Sequence, residues 1–228
     1  MGRDPASYYQ KALRDFGQAF QIDPSRVELK QWMGEIRSGW GDELHLSGND
    51  PSEQYILAVR DFSVVLKVRP KQEGTWMVRG NVLLNLGAWQ QDRGENPTGA
   101  YEAALSDFET VINMNPTWIG AWLDSGAALI NLASFRQSRG EDPMSHYESA
   151  LGKLNRAVVV DPKSARARWF RAEANLNWAL YIIGKGATAE EKLRKAVADF
   201  EKGGELRPEL IPQMASSLEK CREYLGRD

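Results

Sequence analysis

Side chains that commonly carry catalysis or bind metals are sparse in this 228-residue chain. It has two histidines, His45 and His146, and one cysteine, Cys221, widely separated in the sequence. A zinc site needs three or four such ligands together. The chain has no G-x-S-x-G, H-E-x-x-H or Gly-rich phosphate-binding motif, and its 31 acidic residues form no persuasive acid–base pair. The sequence therefore predicts no catalytic residue, no metal site and no bound cofactor.

Composition narrows the class of protein further. Hydrophobic residues make up 42% and charged residues 26%, as in a folded protein, and the formal net charge is −2. This balance gives no indication of nucleic-acid binding, and we interpret the short basic stretch ARARWFR as a solvated helix face. No 18-residue apolar run or apolar signal-peptide core is present, so we expect no membrane insertion. A single cysteine excludes an internal disulfide and favours a cytoplasmic location, unless a presequence has been removed.

An internal period of 46 residues is the strongest feature of the sequence. The phrase RGENPTGAYEAALSDF, which begins at Arg93, returns as RGEDPMSHYESALGKL at Arg139. One proline recurs in every period, at Pro24, Pro70, Pro116, Pro162 and Pro208. Small and aromatic columns keep the same spacing, at Ala12, Ala58, Ala104, Ala150 and Ala196, and at Tyr9, Tyr55, Tyr101 and Tyr147. A fixed period of this length indicates a repeat architecture.

Each period contains two segments with apolar residues at helical spacing, 97–114 and 117–139 in the best example. The repeated phrase lies at the joint between them. Gly94 suits the left-handed position just past a helix, Asn96 is a good N-cap, and Pro97 fits the first helical turn. We therefore interpret the phrase as a turn between two helices rather than as a binding loop. No segment alternates with period two, so we expect no β-sheet.

These columns resemble the tetratricopeptide repeat (TPR) family. Its 34-residue pattern has Trp and Gly four residues apart, matched by Trp76 and Gly80, and then Ala, Phe and Pro, matched by Ala104, Phe108 and Pro116. From Gly80 to Ala104 is 24 residues, twice the family's spacing, so each repeat carries an insertion that we expect to lengthen both helices. The resemblance implies an all-α, right-handed superhelical solenoid of antiparallel helix pairs.

The period divides the chain into six segments of one predicted solenoid domain. They are an N-terminal half repeat with only a second helix (1–26), four repeats (27–72, 73–118, 119–164 and 165–210) and a C-terminal capping helix (211–228).

The resemblance also implies a non-enzymatic protein–protein interaction scaffold. In the family, defined positions of each first helix face a concave groove. Mapped onto this chain, they give two sets of candidate binding residues: Asn85, Asn131 and Asn177, and Met77, Leu123 and Trp169. The asparagines have both donors and acceptors for a peptide backbone, but they suit bridges between neighbouring helices equally well.

The first helix keeps the repeat pattern but lacks the helix that should precede it. Stacking the last helix of one chain on the first of another would roughly restore the period, which predicts end-to-end association into homo-oligomers or filaments. The residues expected at that interface are Tyr9, Ala12, Leu13, Phe16, Leu218 and Tyr224. Two alternatives stay open: a monomeric adaptor that binds a peptide or helix of another protein in its concave groove, and a fragment of a longer array.

Overall fold

The computed structural model of the protein describes residues 5–226, which form ten α-helices and one 3-10 turn. The helices are α1 (Pro5–Ile22), α2 (Glu28–Leu46), α3 (Ser52–Val68), α4 (Glu73–Asp92), α5 (Thr98–Met114), α6 (Ile119–Ser138), α7 (Met144–Val160), α8 (Ala165–Gly184), α9 (Glu190–Leu206) and α10 (Ile211–Leu225), with the turn at Pro208–Leu210. No strand occurs within residues 5–226, so the all-α prediction is confirmed. Residues 1–4 and 227–228, which the first and last predicted segments include, lie outside the described residues.

Helix boundaries recur with the period of the sequence. The first helices α4, α6 and α8 each have 20 residues and begin 46 residues apart, and the second helices α3, α5, α7 and α9 each have 17. The two helices of a pair are joined by short turns, for example 93–97 between α4 and α5. The residues added to the usual repeat length therefore lie in the helices and not in a long loop.

The turn at the repeated phrase ends the first helix of each pair in the same way. Gly94 has a φ of 75°, its N–H donates to the Gln91 carbonyl at 3.0 Å, and the Glu95 N–H donates to the Gln90 carbonyl at 2.8 Å. This pair of bonds is a Schellman motif, which favours glycine because the backbone is left-handed there. Asn96 Oδ1 accepts from the Thr98 N–H at 3.0 Å. The structure begins α5 at Thr98, one residue later than the pattern predicted.

Close contacts between glycines and aromatic rings hold the two helices of a pair together. A Cβ at Gly80 would lie 2.6 Å from the Phe108 ring, and one at Gly87 would lie 2.6 Å from the Tyr101 ring. As the residue number rises on α4 it falls on α5, so the two helices are antiparallel. Both rings are essentially fully buried, and only glycine lets the helices approach so closely.

The chain divides into two compact units, residues 1–116 and 117–228. The first contains α1–α5. There α1 packs on α2 through Tyr9 stacked on Trp40 at 5.6 Å and Phe16 against Trp32 at 5.5 Å. The second contains α6–α10, and its largest apolar cluster joins α8, α9 and α10. The single solenoid domain and the repeat boundaries stay predictions.

A buried ion pair recurs once in each unit at equivalent positions. The Nε and Nη2 atoms of Arg79 donate to the two carboxylate oxygens of Asp107, at 2.8 and 2.6 Å. The same atoms of Arg171 donate to the two oxygens of Asp199, at 2.6 and 2.7 Å. Burial raises the pKa of Asp107, and Arg79 offsets part of that rise. Each pair links the two long helices through a bidentate contact that fixes their relative position.

Replacing Gly80 with alanine should lower the free energy of unfolding by about 1–3 kcal/mol, because the new methyl group would overlap the buried Phe108 ring. Gly152→Ala is the matched control, since nothing lies within 4 Å of that position in the middle of α7. It should raise stability by about 0.5–1 kcal/mol through helix propensity alone. Urea unfolding followed by circular dichroism measures both, and equal effects would contradict the close-contact interpretation.

Replacing Arg79 with leucine should lower the free energy of unfolding at pH 7 by about 3 kcal/mol, because the Asp107 carboxylate stays buried without its partner. The pKa of Asp107 would then rise further. A carboxyl whose pKa is higher in the folded state binds its proton more tightly there, so the loss should shrink as the pH is lowered.

Unfolding curves at neutral and mildly acidic pH test this expectation. Arg60→Leu, at an exposed position of α3, is the control and should be nearly neutral. The double variant Arg79→Leu/Asp107→Leu should recover most of the lost stability. A loss for Arg79→Leu that does not change with pH would contradict the assignment to an unpaired carboxylate.

Candidate docking groove between α9 and α10

An open apolar groove of about 650 Å³ runs between α9 and α10. Its apolar lining is Phe200, Gly204, Ile211, Met214, Ala215 and Leu218. Phe200 and Met214 are almost fully buried and form the floor, whereas Ile211 is half exposed at one end. In the part of the chain that the structure describes, α10 packs only on α8, α9 and the 3-10 turn. No other described helix covers the opposite side of the groove.

The repeat pattern shows which faces of the earlier first helices are equivalent to this face of α10. Leu218 lies in the same column as Gly34, Gly80 and Gly126, and in each earlier pair the residue of that column contacts the second helix. The partners there are Phe62, Phe108 and Leu154. Leu225 likewise lies in the column of Gly41 and Gly87, which receive tyrosine rings. This face of α10 is thus equivalent to the faces on which second helices pack, but it has leucine where the earlier first helices have glycine or alanine.

Charges at the rim of the groove are mainly negative. Glu201, Glu205 and Glu219 line it with one arginine, Arg222. Arg222 pairs with Glu201 at 2.8 Å, and Lys202 pairs with Glu205 at 2.7 Å, both in solvent-exposed contacts that stabilise the fold little. Glu219 has no cationic partner among the described residues. The rim therefore presents an excess of carboxylates around an apolar floor.

The one thiol near the groove is not a reactive group. Cys221 is fully buried in the cluster of α8, α9 and α10. Burial raises the pKa of this thiol to about 11, so it stays protonated at neutral pH, and only the thiolate is a strong nucleophile. Within residues 5–226 no group of His, Cys, Asp or Glu is placed to hold a metal ion.

Of the three predicted ladder asparagines, the structure shows a bond between helices at Asn85. Asn85 is half-buried, and its Nδ2 donates to Asp42 Oδ1 at 3.1 Å, an oxygen that also accepts from the Tyr55 hydroxyl at 2.8 Å. Asn85 therefore bridges α4 and α2, which is the alternative that the sequence left open. Asn131 and Asn177 are half-buried on α6 and α8. A continuous ligand-binding ladder stays a prediction.

The second predicted set divides between core and surface. Met77 is 6% exposed and Leu123 is 4% exposed, so both are core residues with little side chain available to a ligand. Trp169 is partly exposed, and its Nε1 donates to Glu173 Oε1 at 3.2 Å. Family positions predicted all three equally, but the rotation of each long helix about its axis, which depends on packing, decides which of them reach the surface.

The residues predicted for an end-to-end interface lie at the two ends of the chain. On α1, Tyr9 and Phe16 contact tryptophans of α2, and Ala12 and Leu13 are partly exposed. The equivalent Ala58 and Ala104 are fully buried. On α10, Leu218 lines the groove, whereas Tyr224 lines a separate small cavity beside the α8–α9 turn. The structure therefore does not place Leu218 and Tyr224 on one surface.

The groove itself was missed by sequence reasoning, which treated α10 as a polar cap. One signal could have found it: the change from glycine to leucine at Leu218, in a column where a second helix normally packs. None of the helices within residues 5–226 is both long enough and apolar enough to span a bilayer.

Solved structures share this fold at low sequence identity. TTC0263, a thermophilic TPR protein of Thermus thermophilus, has a TM-score of 0.59 and 21% identity over 93% of this chain and 92% of that chain. A MamA RS-1 double mutant also has a TM-score of 0.59 and 21% identity, over 88% of this chain and 86% of that one. YrrB, a TPR protein with an unusual peptide-binding site, has a TM-score of 0.59 and 16% identity over 93% and 84%. They establish that the fold is TPR-like, as the sequence predicted.

No curated protein sequence matches the chain significantly. One family model does match, that of the plant specific mitochondrial import receptor subunit TOM20, over residues 96–221. The matched segment begins just before α5 and ends within α10, so it contains the whole of α9 and most of the groove. Because the match covers more than half of the 228 residues, the chain belongs to the TOM20 family of plant specific mitochondrial import receptor subunits.

Proposed function

We propose that this protein is a receptor-like scaffold that binds a helical segment of another protein in the groove between α9 and α10. One observation carries the proposal: the open face of α10 is equivalent to the faces of α2 and α4 that each hold a second helix. An amphipathic helix laid into an apolar groove is a common mode of peptide recognition. The family's description as an import receptor subunit, and the TPR-like fold, agree with a binding role.

The chemistry of the groove defines the segment that fits it. An apolar stripe would lie against Met214 and Leu218, and basic side chains at its edges would lie near the rim carboxylates of Glu205 and Glu219. The 15 residues of α10 extend for about 22 Å, so the bound helix would have about three to four turns. Exposed rim charges mainly steer association and select the sign of the partner, and their effect falls with added salt.

A peptide-binding measurement tests this function. The probe is a synthetic 14-residue amphipathic helix of leucine and lysine, followed by fluorescence anisotropy, with a leucine–glutamate peptide of the same pattern as its control. We expect Leu218→Asp to weaken binding at least tenfold, because it places a charge on the apolar side of the groove. Ser216→Asp, on the same helix outside the groove lining, is the matched control and should bind as well as the parent.

A second measurement tests whether the negative charge at the rim selects the charge of the peptide. Glu219→Lys should weaken binding of the lysine peptide by several-fold, because the unpaired rim carboxylate becomes a cation, and the loss should shrink at high salt. Equal affinity for the lysine and glutamate peptides would contradict the proposed partner. Loss of binding in Asn131→Ala and Asn177→Ala, with Leu218→Asp unaffected, would instead favour the concave-face site that the sequence predicts.

Self-association through α1 is a second candidate function. It is favoured by the partial exposure of Ala12, since the same column is fully buried in every later second helix. Docking of α1 from a second copy onto α10 in the register of the repeat would bring Phe16 against Leu218 and Tyr9 against Leu225. Earlier pairs have only glycine or alanine at those two positions of the first helix. The larger leucine side chains would therefore hold the second copy further away. We therefore rank this function below the receptor function.

Sedimentation of the purified chain at high concentration tests self-association. The variant Leu218→Ala/Leu225→Ala reproduces Ala172 and Ala179, the residues that α8 has in these columns. If copies stack in register, this variant should associate at least tenfold more tightly, and Leu13→Asp on α1 should reverse the gain. A strictly monomeric chain in all of these variants would contradict end-to-end association.

A further inference from the structure

A second cavity, of about 300 Å³, lies among α7, α8 and α9 and is lined mainly by polar side chains. Its polar lining residues are Asn155, Arg171, Asn175, Lys192, Lys195 and Asp199. It shares no lining residue with the groove between α9 and α10. Neither the fold nor the proposed receptor function requires these donors.

The charges of the cavity do not cancel. Asp199 is held by Arg171 through both oxygens and by Arg168 at 3.3 Å, so its carboxylate is satisfied. Lys195 pairs with Glu191 at 2.6 Å in an exposed contact that solvent screens strongly. Lys192 is half-buried over the Trp178 ring and has no carboxylate within ion-pair distance among the described residues. The lining of the cavity therefore includes three cationic side chains, Arg171, Lys192 and Lys195, and one carboxylate, Asp199.

The first unit allows an internal comparison, because the positions equivalent to this cavity occur there two periods earlier in the chain. The ion pair of Arg171 and Asp199 is kept as Arg79 and Asp107. Of the four remaining polar lining residues, Asn155 corresponds to Ser63 and stays polar. The other three are replaced by apolar residues: Leu83 stands at the position of Asn175, Ala100 at that of Lys192, and Ala103 at that of Lys195. The repeat architecture therefore does not need these donors, and the second unit differs by having all three around one cavity.

One of the three donors, Asn175, is buried in the wall of the cavity. Asn175 is 4% exposed, lines the cavity, and donates from Nδ2 to the Arg171 carbonyl at 3.0 Å, which uses one of the two N–H groups of its amide. Burying an amide in place of leucine generally lowers stability. Burial, and then the charge of Lys195, lowers the pKa of Lys192, while the charges of Glu191 and Glu148 raise it, so a further negative charge beside this ammonium would favour its charged form. A bound anion would supply that charge and accept hydrogen bonds from all three residues.

We propose that this cavity binds a phosphoryl group, with Lys192, Lys195 and Asn175 as its donors. A phosphate monoester carries up to two negative charges and three acceptor oxygens, which matches two ammonium groups and an amide that approach from α8 and α9. The cavity is larger than a phosphate ion alone, so it has room for the group to which the phosphate is attached. A soluble phosphate ester and a phospholipid headgroup share this chemistry.

The test is a titration of the full chain, observed by backbone amide nuclear magnetic resonance. The probes are inorganic phosphate, glycerol 3-phosphate, and vesicles of phosphatidylcholine with and without phosphatidic acid. Saturable shifts confined to α7, α8 and α9 are expected for at least one phosphate-bearing probe. Binding of glycerol 3-phosphate would identify a soluble ester, and binding only to phosphatidic acid vesicles would identify a headgroup.

The variant Lys192→Ala/Lys195→Ala installs the residues of the first unit and should weaken binding by about tenfold for each lost donor. The control Lys67→Ala/Lys71→Ala removes the same charge from exposed positions elsewhere and should leave affinity unchanged. Asn175→Leu is a second variant, which should weaken binding while raising or preserving the melting temperature. The proposal is overturned if no phosphate-bearing probe saturates, or if the control variant loses as much affinity as the double variant.

Discussion

The close approach of the two helices of a pair, allowed by glycine or alanine on the first helix and seen at Gly80 and Phe108, is the constraint on which the rest of each pair depends. A Cβ there would lie 2.6 Å from the ring, so the separation of the helices is set by a missing side chain. The second contact, between Gly87 and Tyr101, lies two turns further along and fixes the register of the pair. With separation and register fixed, the Arg79 guanidinium can reach Asp107 and form its bidentate bond at 2.6–2.8 Å.

Once the separation and register of a helix pair are fixed, the positions that do not touch the partner helix are free to differ between repeats. The ion pair of Arg79 and Asp107 recurs as Arg171 and Asp199, yet the residues around it change from apolar in the first unit to polar in the second. Because the framework already secures the fold, such changes affect stability modestly and surface chemistry strongly. This separation explains how an array with one helix-pairing rule acquires an acidic apolar groove at one place and a cationic cavity at another.

Local features were predictable from the sequence, and cross-helix features were not. The period, the lengthened helices and the left-handed Gly94 follow from residue types within one repeat, where backbone geometry decides the outcome. The rotation of a helix against its neighbours does not follow from spacing, which is why Met77 and Leu123 were expected at a surface and lie in the core. Asn85 is bound to Asp42, 43 residues away, and no pattern within one helix reveals that bond. The groove could not be predicted from one helix alone, because its lining residues come from both α9 and α10.

The leucines of α10 bear most directly on what the groove binds. In α8 the same columns hold Ala172 and Ala179, which let Phe200 pack as part of the buried core. Leu218 and Leu225 fill the space that an incoming aromatic ring would need, so a helix with the repeat's own pattern fits poorly. A helix with smaller or differently spaced apolar residues loses nothing from this change and gains contact with the leucine side chains. On the proposed receptor function, these leucines would make α10 a poorer surface for a helix with the repeat's own pattern, while Leu218 gives a foreign helix an apolar contact in the groove.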